Sequence, residues 1–142
     1  MFIRDNYDVK LPVYETKNSA GMDVRAYLGG EECSIEVHPG EWALIPTGLR
    51  VDLPDGYELQ VRPRSGLAYK HGITVINSPG TIDADYEGLI GILIMNHGDR
   101  PFKVQHGARI AQLVYKPVEQ MPGVAVKETL RGSGGFNSTG VN

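Results

Sequence analysis

Apolar and β-branched residues come along this chain in short runs of Val, Ile, Leu, Tyr and Thr, each closed by a polar turn signal. The runs predict strands near Glu41–Ile45, Gly48–Leu53, Tyr57–Val61, Thr74–Ile76, Gly88–Met95, Phe102–Val104 and Arg109–Tyr115. Between them lie His38-Pro-Gly40, Pro54-Asp-Gly56, His97-Gly-Asp99 and His106-Gly107, which carry the residues that turns need. Upstream, a glycine turn feeds a further alternating stretch, Ala20–Ala26. The one helical piece predicted is Ser65–Lys70, a turn or two long and stopped by Gly72. Seven or more short strands with almost no helix point to an all-β sandwich, jelly roll or barrel. The pattern runs as a single domain over 1–127. Residues 128–142 hold no apolar run to pack, so they are expected to form a flexible C-terminal arm.

Composition narrows the class. With 142 residues the chain is long enough for one real core, and its 18 glycines and 9 prolines suit a turn-rich β protein. A formal net charge of -3 argues against stable nucleic-acid binding or an anionic membrane surface. Any phosphate site must therefore come from local arginines and backbone amides. The single cysteine, Cys33, permits no internal disulfide and fits a reducing compartment; its polar, acidic setting gives it no catalytic role. No signal-like or membrane-spanning apolar run is present, so cytoplasm is the expected location.

Five segments carry the chemistry. In Ala20-Gly-Met-Asp23-Val-Arg25-Ala26, strand alternation puts Asp23 and Arg25 on one side, as an ion pair or as holders of metal-bound water. In Val61-Arg62-Pro-Arg64-Ser65-Gly66, two arginines sit where a strand ends and the short helix opens. Ser65 as N-cap explains the serine, but the arginines favour a phosphate site at the helix start. The densest segment is Ile76-Asn77-Ser-Pro-Gly80-Thr-Ile-Asp83-Ala-Asp85-Tyr86-Glu-Gly88, a polar insert between two apolar runs that reads as a wide β-hairpin. Asn77 offers the donor and acceptor that read an imide edge of a base; Tyr86 can lie flat under a sugar. Asp83 and Asp85 are each a candidate general base or a turn residue, and spacing leaves that choice open. Gly91, within the next strand, leaves room for backbone to approach a ligand. The fourth segment, Gly107-Ala-Arg109-Ile-Ala-Gln112-Leu-Val114, places a glutamine where an apolar or charged residue is usual. The fifth is the arm, Arg131-Gly-Ser-Gly-Gly-Phe136-Asn-Ser-Thr139-Gly140, able to wrap an anion with amides, pair it with an arginine and stack a ring on a flat base.

Taken in order, the five segments resemble the homotrimeric dUTP pyrophosphatase (dUTPase) family from Ala20 to Gly140. The resemblance implies a jelly-roll-like β-barrel with one very short helix, in which three subunits share three active sites and the arm of one chain closes over another. The activity it implies is hydrolysis of dUTP to dUMP and pyrophosphate. The same family pattern implies a role for each matching residue. Asn77 and neighbouring backbone read the uracil, with Thr81, Ile82 and Gly91 as further substrate contacts. Tyr86 lies under the deoxyribose and excludes a 2′-hydroxyl. Asp83 positions and deprotonates the attacking water. Arg64, Ser65, Gly66 and Gln112 hold the phosphates; Arg131 reaches the outer phosphate, Phe136 stacks on the base, and Ser138 with Thr139 covers the chain. Magnesium (Mg2+) is the implied cofactor, and Asp23 touches it through water. Leu89 and Asn137 depart from the family pattern, at neither the base nor the phosphate ligands.

Three other readings compete. A dCTP deaminase, alone or bifunctional, shares the fold but needs a glutamate base, and ammonia release would reveal it. A trimer that sequesters a partner would have catalysis secondary or lost, and pyrophosphate release from dUTP shows whether catalysis survives. A zinc enzyme is disfavoured because His38, His71, His97 and His106 show no ligand spacing. Trp42 is expected to be a core or interface anchor, and Leu89–Met95 with Ile110–Val114 to be core or subunit contact.

Overall fold

The structure, a computed structural model, describes residues 1–127 and 134–136. Among these, eleven strands and one helix follow in the order β1 (Phe2–Arg4), β2 (Met22–Arg25), β3 (Ser34–Val37), β4 (Trp42–Pro46), β5 (Leu49–Val51), β6 (Tyr57–Arg62), α1 (Ser65–His71), β7 (Ile73–Val75), β8 (Gly80–Ile82), β9 (Gly91–Asn96), β10 (Phe102–Gln105) and β11 (Arg109–Pro117). All seven predicted strands are present with ends shifted by at most three residues, and the alternating stretch after Ala20 is β2. The all-β expectation holds. The strands are distributed over four sheets, β2-β11-β6-β8, β4-β9-β7, β1-β5 and β10-β3, every pair antiparallel.

Alternation explains the layers. In β9 every second residue points inward, so Ile92, Ile94 and Asn96 are buried. β2 contributes Met22 and Val24 and β6 contributes Leu59 and Val61 to the same core, with Ile45, Ile73, Val104 and Leu113. Each such side chain withdrawn from water stabilises the fold by about 1.5–3 kcal/mol. The predicted hairpin forms between β7 and β9, but its polar insert contains β8, which pairs with β6 in the other sheet. The Ser78–Pro79 peptide leading into β8 is cis.

α1 ends where the sequence indicates. Gly72 adopts φ 67 and its amide donates to Ala68, a left-handed cap for which glycine carries no Cβ penalty. At the other end the N-cap is Arg64, without a side-chain cap bond, so Ser65 is the first helical residue and not the cap. The helix is secured from outside. His97 donates to the Gly72 carbonyl at 2.9 Å. Buried Asn96 bonds Val37, Gly98 and Arg100 at 2.8–2.9 Å, fixing the loop behind it. Trp42 is not a core anchor: it is 61% exposed. It sits opposite Met95 on the outer face of β4-β9-β7, beside exposed Leu44 and Ile76.

Candidate active site

The polar insert between β7 and β9 wraps a small cavity of about 130 Å³. Its walls are Val61 of β6, then Asn77, Gly80, Thr81, Ile82, Tyr86, Ile90 and Gly91, with Gly135 and Phe136 of the arm closing one side. Six of the residues selected from sequence are thus brought together: Asn77, Thr81, Ile82, Tyr86, Gly91 and Phe136. The loop that carries them is tied down by contacts the sequence did not signal. Buried Thr47 donates to the Ile90 carbonyl at 2.6 Å, Ile90 donates to Leu49 at 2.7 Å, and Arg50 donates to Glu87 at 2.8 Å. The Tyr86 hydroxyl donates to Leu89 at 2.9 Å, and its ring lies on Gly88, where an added Cβ would come within 2.4–2.9 Å of ring and hydroxyl atoms. The ring is therefore held in one place. At Gly91 the backbone lines the cavity, but the space beside its Cα is filled by Leu44, so the glycine serves strand packing as much as a ligand.

Asp83 does not line this cavity. It follows Ile82 directly, and with Asp85 it lines a wider cleft of about 680 Å³ shared with Asp55, Tyr57, Glu58 and Gln120. Its proximity to the cavity comes through its neighbour in sequence, not through a shared wall.

A third group lies on the opposite face of the four-stranded sheet. Register pairs Asp23 with Gln112 and Gln112 with Arg62, while the next row pairs Met22 with Leu113 and Leu113 with Val61. Val61 in turn pairs with Gly80. Adjacent rows face opposite ways, so Val61 and Gly80 look into the cavity and Asp23, Gln112 and Arg62 look outward. Asp23 does not pair with Arg25, which donates to the Gly107 carbonyl at 2.8 Å. Its carboxylate accepts instead from Arg64 Nε at 2.9 Å and Arg109 Nη1 at 3.1 Å, and it is only 17% exposed. Gln112 is half-buried and donates to the Pro63 carbonyl at 2.9 Å, tethering the start of α1 to β11. Arg62 points to Gln60 at 2.6 Å, away from this group. Ser65 and Gly66 stand exposed at the start of α1. Sequence reading assigned no role to Arg109; its only signal was an arginine at the head of the strand that also carries Gln112. The expected contacts of Arg131, Ser138 and Thr139 lie outside the described residues.

Comparison with known proteins decides the family. The dUTPase family profile matches residues 7–140. A deoxyuridine 5'-triphosphate nucleotidohydrolase of Rhizobium leguminosarum bv. trifolii (strain WSM2304) is 54% identical over 92% of this chain and 85% of its own length. The chain belongs to the dUTPase family. Another relative of the same name, from Desulfotalea psychrophila (strain LSv54 / DSM 12343), is 54% identical over 97% of this chain and 92% of its own. Among solved structures, the Streptococcus mutans dUTPase superposes with a TM-score of 0.74 at 30% identity, covering 86% of this chain and 98% of that one. The Staphylococcus bacteriophage 80alpha dUTPase with dUPNHPP gives 0.76 at 26% identity, covering 99% and 98%. The fold is accordingly the jelly-roll-like β fold of dUTPases, and the strand register is how this member builds it.

Proposed function

We propose that this chain hydrolyses dUTP to dUMP and pyrophosphate, limiting uracil incorporation into DNA and supplying dUMP for dTMP synthesis. The observation that carries the reading is the small cavity in which one amide, Asn77, and two rings, Tyr86 and Phe136, converge. A planar base with an imide edge satisfies all three: Asn77 reads the edge, Phe136 stacks on the face, and Tyr86 lies beneath the sugar. A 2′-hydroxyl has no room against a ring held by Gly88 and the Leu89 carbonyl. Thr81, Ile82 and Gly91 complete the wall.

The phosphates belong to the outer-face group. Arg64, Ser65, Gly66 and Gln112 bind them, Arg131 reaches the outermost, and Ser138 with Thr139 covers the chain. Because the sheet separates that group from the cavity of the same chain, the two serve one ligand only when different subunits meet. The protein works as a homotrimer with shared sites. The exposed apolar face of Trp42, Leu44 and Ile76 supports a subunit contact. Charged replacements at Trp42 and Leu44 are expected to yield monomers in sedimentation and to abolish activity together.

Asp83 takes the proton of the water that attacks the α-phosphorus, and pyrophosphate leaves with its charge neutralised by the arginines. Magnesium fits the donor set as a largely hydrated ion carried by the triphosphate. Among the described residues no group of three or more His, Cys, Asp or Glu is placed to hold a metal. Asp23, with both oxygens taken by arginines, suits contact through water. When bound, the ion supplies Lewis-acid charge neutralisation and orients the phosphates. Among the described residues no helix is long and apolar enough to cross a membrane, and we place the enzyme in the cytoplasm. Pyrophosphate release from dUTP, UTP, dTTP and dCTP, with and without magnesium, tests the reading: release from dUTP alone supports it, and ammonia release from dCTP would replace it with a deaminase.

A further inference from the structure

We infer that Arg109 is a positioning residue that fixes the phosphate-binding guanidinium of Arg64, an inference that rests on the dUTP-hydrolysing function proposed for the chain. Two contacts make the link. Arg109 Nη1 donates to Asp23 Oδ2 at 3.1 Å, and Asp23 Oδ1 accepts from Arg64 Nε at 2.9 Å. Independently, the Arg109 main-chain carbonyl accepts from Arg64 Nη1 at 3.3 Å. Arg64 is thus gripped at Nε and Nη1, and the Nη2 side of its planar fork is what the grip leaves for a ligand. Arg109 is itself steadied by Glu15, whose Oε1 lies 3.7 Å from Nη1.

The backbone shows why Arg109 reaches this face. In an unbroken ladder Asp23, Val24 and Arg25 would oppose Gln112, Ala111 and Ile110. The observed register instead pairs Arg25 with Arg109 and shifts between Arg109 and Ala111. The extra residue is Ile110, and Ile110 and Ala111 are consecutively buried where alternation would bury only one. A bulge of this kind re-aims the side chains beyond it. Without it, Arg109 would point into the core and Ile110 toward Asp23.

The alternative is that Arg109 only balances the charge of Asp23. The two roles separate in which ligand suffers. For Arg109→Gln we expect the KM for dUTP to rise about 10-fold, the size of coupling usual within one ion-pair network, with kcat changed less. Affinity for deoxyuridine, which carries no phosphate, should stay at the wild-type value. Arg109→Lys should recover part of the loss, and in an Asp23→Asn background Arg109→Gln should add little. An unchanged KM for dUTP, or an equal fall in deoxyuridine affinity, would overturn the role of Arg109 while wild-type activity keeps the functional reading. Failure of both Arg109 variants to fold by thermal melting would overturn it as well, by making the residue structural. Wild-type protein that releases no pyrophosphate from dUTP would overturn both.

Discussion

The cavity and the outer-face arginine group are built in different ways. Apart from Val61 and the arm, the cavity walls come from one continuous stretch, residues 77–91, folded back on itself by the β7–β9 hairpin. The outer group gathers Asp23, Arg64, Arg109 and Gln112 from three separate segments, with partners 41, 86 and 49 positions apart. The cavity is nearly complete within one chain and shaped by packing. The arginine group is complete only as a charge network, and it faces away from its own cavity. The cavity can therefore be preorganised locally, whereas the arginine group depends on the whole sheet being in register.

The strongest test of that contrast falls on a residue outside both regions, next in sequence to the cavity wall at Ile82. Asp83→Asn should lower turnover by about 10²–10⁴-fold, the usual contribution of a general base, while calorimetric titration with dUTP shows nearly unchanged binding. Joint loss of binding and turnover would instead make Asp83 part of the pocket's framework. Removing residues 128–142 should leave a folded protein, because the buried core cluster lies within residues 9–113. Its activity should fall by about 100-fold through lost positioning, and full activity would refute the arm as a lid.

A smaller effect separates the support of the two regions. Asn96→Ala strips partners from the Gly98 amide and from the Val37 and Arg100 carbonyls, and should cost about 2–4 kcal/mol in urea unfolding. Because that loop backs α1 through Gly72, kcat/KM for dUTP should fall more than deoxyuridine affinity does. The mildest change acts on the pocket. Gly88→Ala pushes a methyl into the Tyr86 ring, and should reduce the preference for dUTP over UTP by about 10-fold in paired pyrophosphate assays. Unaltered discrimination would mean that Tyr86 does not carry the sugar selectivity.

Legibility followed the same division. The segment from Asn77 to Gly91 could be read because its glycines, aspartates and single tyrosine sit together between apolar runs, and the structure puts Gly80, Tyr86 and Gly91 on one cavity and both aspartates on the neighbouring cleft. β1 and β3 went unread because they bury at most one side chain each, leaving no alternation to see. β8 was hidden in a three-residue stretch among turn residues. Ser65 looked like a cap because hydroxyl residues usually cap, yet the cap position falls one residue earlier, at Arg64. Asp23 and Arg25 looked like a pair because strand neighbours two apart share a face. Arg64 and Arg109 take the carboxylate instead, which no local pattern reveals.

The amino-acid order alone determined the strand-rich class, the short helix with its glycine stop, and the family through five ordered segments. These are local properties: turn residues, side-chain alternation and motif spacing act over a handful of positions. Tertiary structure alone decided that Asp23 bridges two arginines, that a bulge at Ile110 turns Arg109 outward, and that the small cavity and the arginine group occupy opposite faces of one sheet. Strand register sets those relations, and register is a choice among distant partners made by burial of the whole core.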